Sequence, residues 1–465
     1  MTAHRSPAER ADAGPPRDRP IETYPLPPEA DGYPLVGSTV DVVRDPLGFY
    51  DRLATYGDVV RYETVIDTFT ALLHPDHVER VLLEEPDRFE QYDFEAFGLG
   101  IDPEGLVDVD GEQWQRQRTL MQPVFTIDRV RSHADSMVEY AARTAAEWDD
   151  GQELALNEEF SALTLQILTR SLFDLEIDPR ETDEVIALAA RAFNEQLDPR
   201  NLTTFLPIWV PTPANRRFKR TYRAYRDRMD ELIEQRRRSD EEADDLLTTL
   251  LHAEGPEGYT LSETEIRDNM MTFMFAGHDT TSLGLTYTFL LLAQHDDALA
   301  RLRREHERVL GDERPTTEHL PELEFTERVI TEALRLYPPV YMLFRRVTEP
   351  VVIGGYRIPE GTVVTLPQFW LHRDERFYDD PDRFDPDRWI ESTEEVPDYA
   401  YFPFGGGPRH CIGMRFARLE MKLVVAVLAR AFDFELLSDP DPDLSPGVTL
   451  RPDDDVRVRV SERST

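Results

Sequence analysis

The chain has 465 residues, 40% of them hydrophobic, enough to bury a large core. Its single cysteine excludes an intramolecular disulfide and any multi-cysteine zinc or iron–sulfur centre. A formal charge of −39, from 52 basic and 91 acidic residues, argues against nucleic acid and anionic membranes as partners.

The first twenty residues, "MTAHRSPAERADAGPPRDRP", are polar and proline-rich and read as a disordered segment ahead of one domain, 21–465. No basic-then-apolar leader and no apolar run long enough to cross a bilayer stand out, so a soluble, cytoplasmic protein is expected. "DPLGFYDRLATYG" reads as a short amphipathic helix and "DVVRYETV" as a strand. "GEQWQRQRTLMQPVF" reads as a helix stopped by Pro123. From about Asp128 to Leu310 the pattern is mostly helical. Its longest apolar stretch, "SETEIRDNMMTFMFAGHDTTSLGLTYTFLLLAQH", opens with a capping box, Ser262 and Glu265. "FTERVITEALRLYPPV" is a helix closed by Pro338 and Pro339. "PVVIGGYRIPEGTVVTLP" reads as a hairpin about Gly354 and Gly355, and "VTLRPDDDVRVRV" as a terminal hairpin. The expected fold class is mainly α with small antiparallel β-sheets.

The cysteine sits in "FPFGGGPRHCIG", Phe402 to Gly413, directly ahead of the apolar stretch "MRFARLEMKLVVAVLARAF". A lone cysteine is usually a buried packing residue. Here three glycines permit close backbone approaches, a helix start offers free N–H groups, and Arg409 adds a cation, all of which favour a thiolate. A phosphate-binding loop would need a Lys followed by Ser or Thr, and a nucleophile would need a base placed to serve it. A lone thiolate can also be the one protein ligand of a metal held by a macrocycle.

Phe404-Gly-Gly-Gly-Pro-Arg-His-Cys-Ile-Gly413 resembles F-x-x-G-x-R-x-C-x-G, the heme loop of the cytochrome P-450 monooxygenases, at every fixed position. Three further motifs follow the family's order. Glu332-Ala-Leu-Arg335 is E-x-x-R, which alone would be an ordinary surface ion pair. Ala276-Gly277-His278-Asp279-Thr280-Thr281 interrupts the apolar helix with residues costly to bury. Trp114-Gln-Arg-Gln-Arg118 places Trp and Arg on one helix face.

The resemblance implies the cytochrome P-450 fold, one large mainly α unit with a smaller β-rich lobe, and heme b as cofactor. It implies Cys411 as iron ligand, with Phe404 packed near the sulfur and Gly413 also among the heme-binding residues. Arg409, Trp114, Arg118 and Arg345 would meet the heme propionates, Arg346 being the alternative to Arg345. Ala276 and Gly277 would line the distal face, with Gly277 leaving room for oxygen. Asp279 would relay protons and Thr280 would assist oxygen activation, while His278 receives no role. Glu332, Arg335 and Arg383, the last from "PDRF", would form a structural cluster, and His372 would be structural. Phe94, Phe97, Leu99, Phe205, Met274 and Phe275 would form an apolar substrate pocket, or simply core. It would suit a fatty acid, terpenoid or steroid-like molecule, with fatty acid slightly favoured.

The implied reaction puts one atom of O2 into a small apolar substrate. With no dinucleotide or flavin region in view, electrons would come from a separate ferredoxin or flavodoxin-like partner, docked on a patch of Arg116, Arg118, Arg415 and Arg418. A peroxygenase or isomerase, or a non-enzymatic heme sensor or electron carrier, are the competing readings. Lys219 and Lys422 are the only lysines. With the acidic charge, this suits a salt-rich cytoplasm, where the screening length is only about 3 Å at 1 M. A halophilic prokaryote is the expected source, although genomic base composition could also account for the missing lysines.

Overall fold

The computed structural model describes residues 19–92, 103–177, 183–201, 204, 206–238, 245–255, 258–390 and 396–463. The helices that position the site are α1 (Gly111–Met121), α2 (Ala134–Glu147), α3 (Leu156–Phe173), α4 (Asp183–Leu197), α5 (Pro213–Arg238), α6 (Glu263–Gln294), α7 (Asp296–Leu310), α8 (Glu324–Leu336) and α9 (Met414–Ala431). Most of the expected disordered segment 1–20 lies outside the described residues. Arg19 is described, and its side chain bonds to Thr23.

Helix α6 is buried on nearly every side, the pattern of a helix surrounded by protein. It is packed by α3, α5, α8 and α9. Its start is fixed as the sequence suggests: Glu265 N donates to Ser262 Oγ (3.2 Å) and Ser262 N donates to Glu265 Oε2 (2.7 Å). Such a cap contributes about 1 kcal/mol. A Cβ on Gly284 would lie 2.8 Å from Met421 Cε, so this glycine lets α9 approach α6 closely. Pro123 does end α1, but through a 3-10 turn, Gln122–Phe125.

Strands are numbered in chain order. The largest sheet joins β1 (Val59–Glu63), β2 (Thr68–Leu72), β3 (Phe89–Gln91), β5 (Leu343–Val347) and β8 (Val363–Leu366) in the order β1-β2-β8-β5-β3. All its pairs are antiparallel except β2–β8, which is parallel with Phe69 opposite Val363. The remaining strands are antiparallel throughout. They form a three-stranded sheet of β4 (Glu153–Ala155), β12 (Arg457–Glu462) and β9 (Phe432–Leu436), and two hairpins, β6 (Val351–Ile353) with β7 (Tyr356–Ile358) and β10 (Leu444–Pro446) with β11 (Leu450–Pro452).

The "VTLRPDDDVRVRV" hairpin expected from sequence is therefore not formed. Its first half pairs backward with β10, and its second half joins β9 and β4. Alternation shows that a segment is a strand but not which neighbour it pairs with. One large cluster of buried side chains joins the helices, and two smaller clusters line the five-stranded sheet.

Candidate functional site

Cys411 lies three residues ahead of α9, in a loop fixed by its own backbone. Cys411 N donates to Phe404 O (2.9 Å), closing the turn. Gly407 holds φ at 62°, and a Cβ there would sit 1.7 Å from the Leu82 carbonyl oxygen. The loop thus presses on the π-helical turn Arg80–Glu84, and only glycine fits at that point. The thiol is accessible, yet it lies deep enough that burial pushes its pKa up. Backbone N–H groups of Gly413 and Met414 and the charge of Arg118 oppose that rise. The helix start contributes as the sequence suggests, but the acting cation is Arg118 rather than Arg409.

Arg409 donates to the Val109 carbonyl (2.5 Å), pairs with Asp110, and lies over the Trp114 ring at 4.8 Å. Arg118 is buried, and burial holds its pKa down; its guanidinium lies 3.5 Å from His410 Nε2. Arg345 is buried beside Arg409, and burial with that like charge brings its pKa down to about 10. Among the described residues no carboxylate pairs with Arg118 or Arg345. Arg346 points away: it bonds Asp67 (3.1 Å) and the Gly361 carbonyl (2.7 Å) and covers the Tyr92 ring. Successive residues of a strand face opposite sides, which separates the two arginines. Buried guanidinium groups without carboxylates call for an anionic ligand.

On α6, every residue from Met270 to Leu292 is buried except Phe275, Ala276, Gly277 and Thr280. Ala276 and Thr280 are one turn apart, and Thr280 Oγ1 donates to the Ala276 carbonyl (2.8 Å). A Cβ on Gly277 would lie 2.7 Å from Leu168 Cδ1, so this glycine admits a side chain of α3. Asp279 is buried and turned toward β11. It pairs with Arg451, and its Oδ2 accepts from Thr449 Oγ1 (2.9 Å). Neither partner carries a local sequence signal, since each lies about 170 residues downstream.

The E-x-x-R pair is fully buried, not a surface ion pair. Arg335 donates twice to Glu332 (2.9 and 2.7 Å) and to the carbonyls of His372 and Pro381. Arg383 contributes only its carbonyl (3.3 Å), and its side chain is exposed. The side chains completing the cluster are Arg388, donating to Glu332 Oε1 (3.3 Å), and Trp389, donating to Oε2 (2.9 Å). The sequence holds two Pro-Asp-Arg-aromatic runs five residues apart, "PDRF" and "PDRW", and the second supplies the arginine. His372 accepts from the Phe402 N–H (3.0 Å) and anchors the start of the cysteine loop.

The four-arginine docking patch does not form. Arg118 is buried, Arg116 pairs with Glu112, and Arg418 pairs with Glu327; Arg415 is exposed. Of the pocket residues, Phe94, Phe97, Leu99 and Phe205 lie outside the described residues. Met274 is fully buried core rather than pocket wall, while Phe275 is half-buried against Phe193 at a ring separation of 5.4 Å.

The chain matches the sequence profile of the cytochrome P-450 family over residues 27–457. It is 34% identical to cyclooctat-9-en-7-ol 5-monooxygenase of Streptomyces melanosporofaciens, over 91% of this chain and 92% of that protein. It is also 34% identical to pentalenene oxygenase of Streptomyces avermitilis, over 89% and 92% respectively. The structure of a cyanobacterial cytochrome, CYP120A1 with bound retinoic acid, superposes with a TM-score of 0.84 at 24% identity, covering 95% of this chain and all of that one. The chain belongs to the cytochrome P-450 family and is an oxidoreductase of the monooxygenase class, with heme b as its cofactor. Members of the family use O2 and redox partners to oxidise organic substrates. No helix among the described residues is long and apolar enough to cross a membrane.

Proposed function

We propose that this chain hydroxylates an apolar, terpenoid-like molecule, with Cys411 as the single protein ligand of the heme iron. The observation that carries this reading is the loop itself: one thiol held by Gly413 and Met414 N–H groups at a helix start, beside guanidinium groups that lack carboxylates. This donor set fits heme b, which carries an iron for the thiolate and two carboxylates for the arginines. When bound, the heme supplies oxygen activation, favoured by electron donation from the thiolate. Arg118 and Arg345 would hold the propionates. Arg409 would add its remaining N–H groups, because Asp110 and Trp114 already fix its orientation.

The chain's own groups would do the rest. Ala276 and Thr280 form the accessible turn of α6, where Thr280 would hold a proton-bearing hydroxyl toward the reacting oxygen. Asp279 would replenish that proton. Phe275 and the aromatic cluster around Phe193, Phe218 and Tyr222 would exclude water on the substrate side.

The names of the two Streptomyces relatives move the substrate expectation from fatty acid to terpenoid. Electrons would come from a separate ferredoxin or flavodoxin-like protein. A salt-rich setting would account for the acidic charge. The test is a panel of cyclic terpenes and fatty acids scored by heme spin-state shift, followed by oxygen-dependent turnover with a surrogate reductase. Terpene binding and a hydroxylated product are expected. No shift with any terpene, alongside clear shifts with fatty acids, would refute the substrate class.

A further inference from the structure

Asp110 stands at the start of α1 in extended backbone (φ −124°, ψ 175°), the place where an aspartate ordinarily caps a helix. Its carboxylate makes no cap bond. Such a bond contributes about 1 kcal/mol, so the group is committed elsewhere at some cost. One oxygen pairs with Arg409, and the other accepts from the Gln91 N–H (2.9 Å).

Gln91 lies on β3, an edge strand of the five-stranded sheet, directly opposite Arg345 on β5. Its side chain donates to the Val107 carbonyl (2.8 Å). Val109, the residue before Asp110, gives its own carbonyl to Arg409. Residues 107–110 are therefore clamped between the sheet edge and the cysteine loop, and the carboxylate is fixed beside two arginines. Burial disfavours the charge of both. At Arg409 the Asp110 carboxylate is the strongest force opposing that burial, ahead of the exposed Asp108. At Arg345 it offsets burial and the like charge of Arg409. A heme propionate would meet the same two guanidinium groups, so the protein's own acid shares these cations with the cofactor.

We propose that Asp110 sets the heme reduction potential by holding Arg409 and cancelling part of the charge of the Arg409–Arg345 pair. It is a positioning residue, acting through the arginines rather than on iron or substrate. Reduction adds an electron to the heme, and nearby positive charge favours that step. A fixed acid among the cations opposes it, and Asp110 therefore favours the ferric state. This inference rests on the reading of Arg345 as a propionate partner.

The test is potentiometric titration of the heme-loaded protein without substrate, at fixed pH and salt. Asp110→Asn keeps the acceptor for Gln91 and the ability to cap α1, and removes only the charge. At a potential where the parent is half reduced, its ferrous-to-ferric ratio should rise about threefold or more. Asp110→Ser, another good cap without charge, is the companion should Asn fold poorly. Asp110→Glu restores the charge and should return the ratio toward that of the parent. Asp108→Asn makes the same charge change at an exposed position and should move the ratio less than half as far. An unchanged ratio in the uncharged variants, a rise in Asp110→Glu equal to that in Asp110→Asn, or an equal rise in Asp108→Asn overturns the proposal. Arg345→Gln separates the two levels, since it should lower the ratio and speed heme loss to an apomyoglobin acceptor. If it does neither, the propionate reading itself fails; if it does both while Asp110→Asn leaves the ratio unchanged, only the role of Asp110 fails.

Discussion

At Gly407 a left-handed backbone and a carbonyl oxygen 1.7 Å from any added Cβ act together. Gly407→Ala should therefore cost about 3 kcal/mol or more, because neither the φ angle nor the Leu82 backbone can yield cheaply. Thermal unfolding and heme retention of the variant check this; an unchanged midpoint with full heme content would contradict it. Glu420 poses the opposite problem. It is fully buried on α9, neither carboxylate oxygen has a partner among the described residues, and desolvation raises its pKa well above 4.5. The unfolded chain releases this proton first, so stability is full below about pH 4.5 and declines as pH rises toward the folded-state pKa. Glu420→Gln should unfold at higher temperature than the parent at pH 7, with the gap closing near pH 4. A gap independent of pH would remove ionisation as the cause.

At the scale of elements, the Glu332–Arg335–Arg388–Trp389 cluster ties α8 to the segment leading into the cysteine loop. Arg388→Ala removes a charged bond to buried Glu332 and should cost about 1–3 kcal/mol. Arg383→Ala removes an exposed side chain and should stay within about 0.5 kcal/mol. Denaturant titration of both variants checks the assignment, and the reverse order would restore Arg383. This cluster also shows the limit of what the sequence made legible. E-x-x-R spacing fixed the Glu332–Arg335 pair, but a repeated Pro-Asp-Arg-aromatic run left two candidates for the third member, and only burial chooses between them. Helix α6 was legible to its cap because its signals are local. The pairing of β11 with β10, the Arg451 contact to Asp279 and the role of Gly277 beside Leu168 were not, since each depends on a neighbour distant in sequence.

For the whole molecule, a charge of −39 must be tolerated by the folded state. Arginine forks bridge acids across elements, as Arg376 does between Asp374 and Asp58 and Arg200 between Asp198 and Asp453. These pairs offset only part of the repulsion, and the rest falls with added salt. Lowering salt from about 2 M to 0.1 M, where the screening length grows to about 10 Å, should reduce the unfolding midpoint by about 5 °C or more. A midpoint that stays constant would detach the acidic surface from a salt-rich setting.

Every role proposed for the site depends on Cys411 as the iron ligand. The most direct measurement is the absorption spectrum of the reduced, carbon monoxide-bound holoprotein, beside that of Cys411→Ala. A red-shifted, thiolate-type Soret band in the parent, absent from the variant, is the expected result. An unshifted band in the parent, or a red-shifted band that survives in Cys411→Ala, would contradict it.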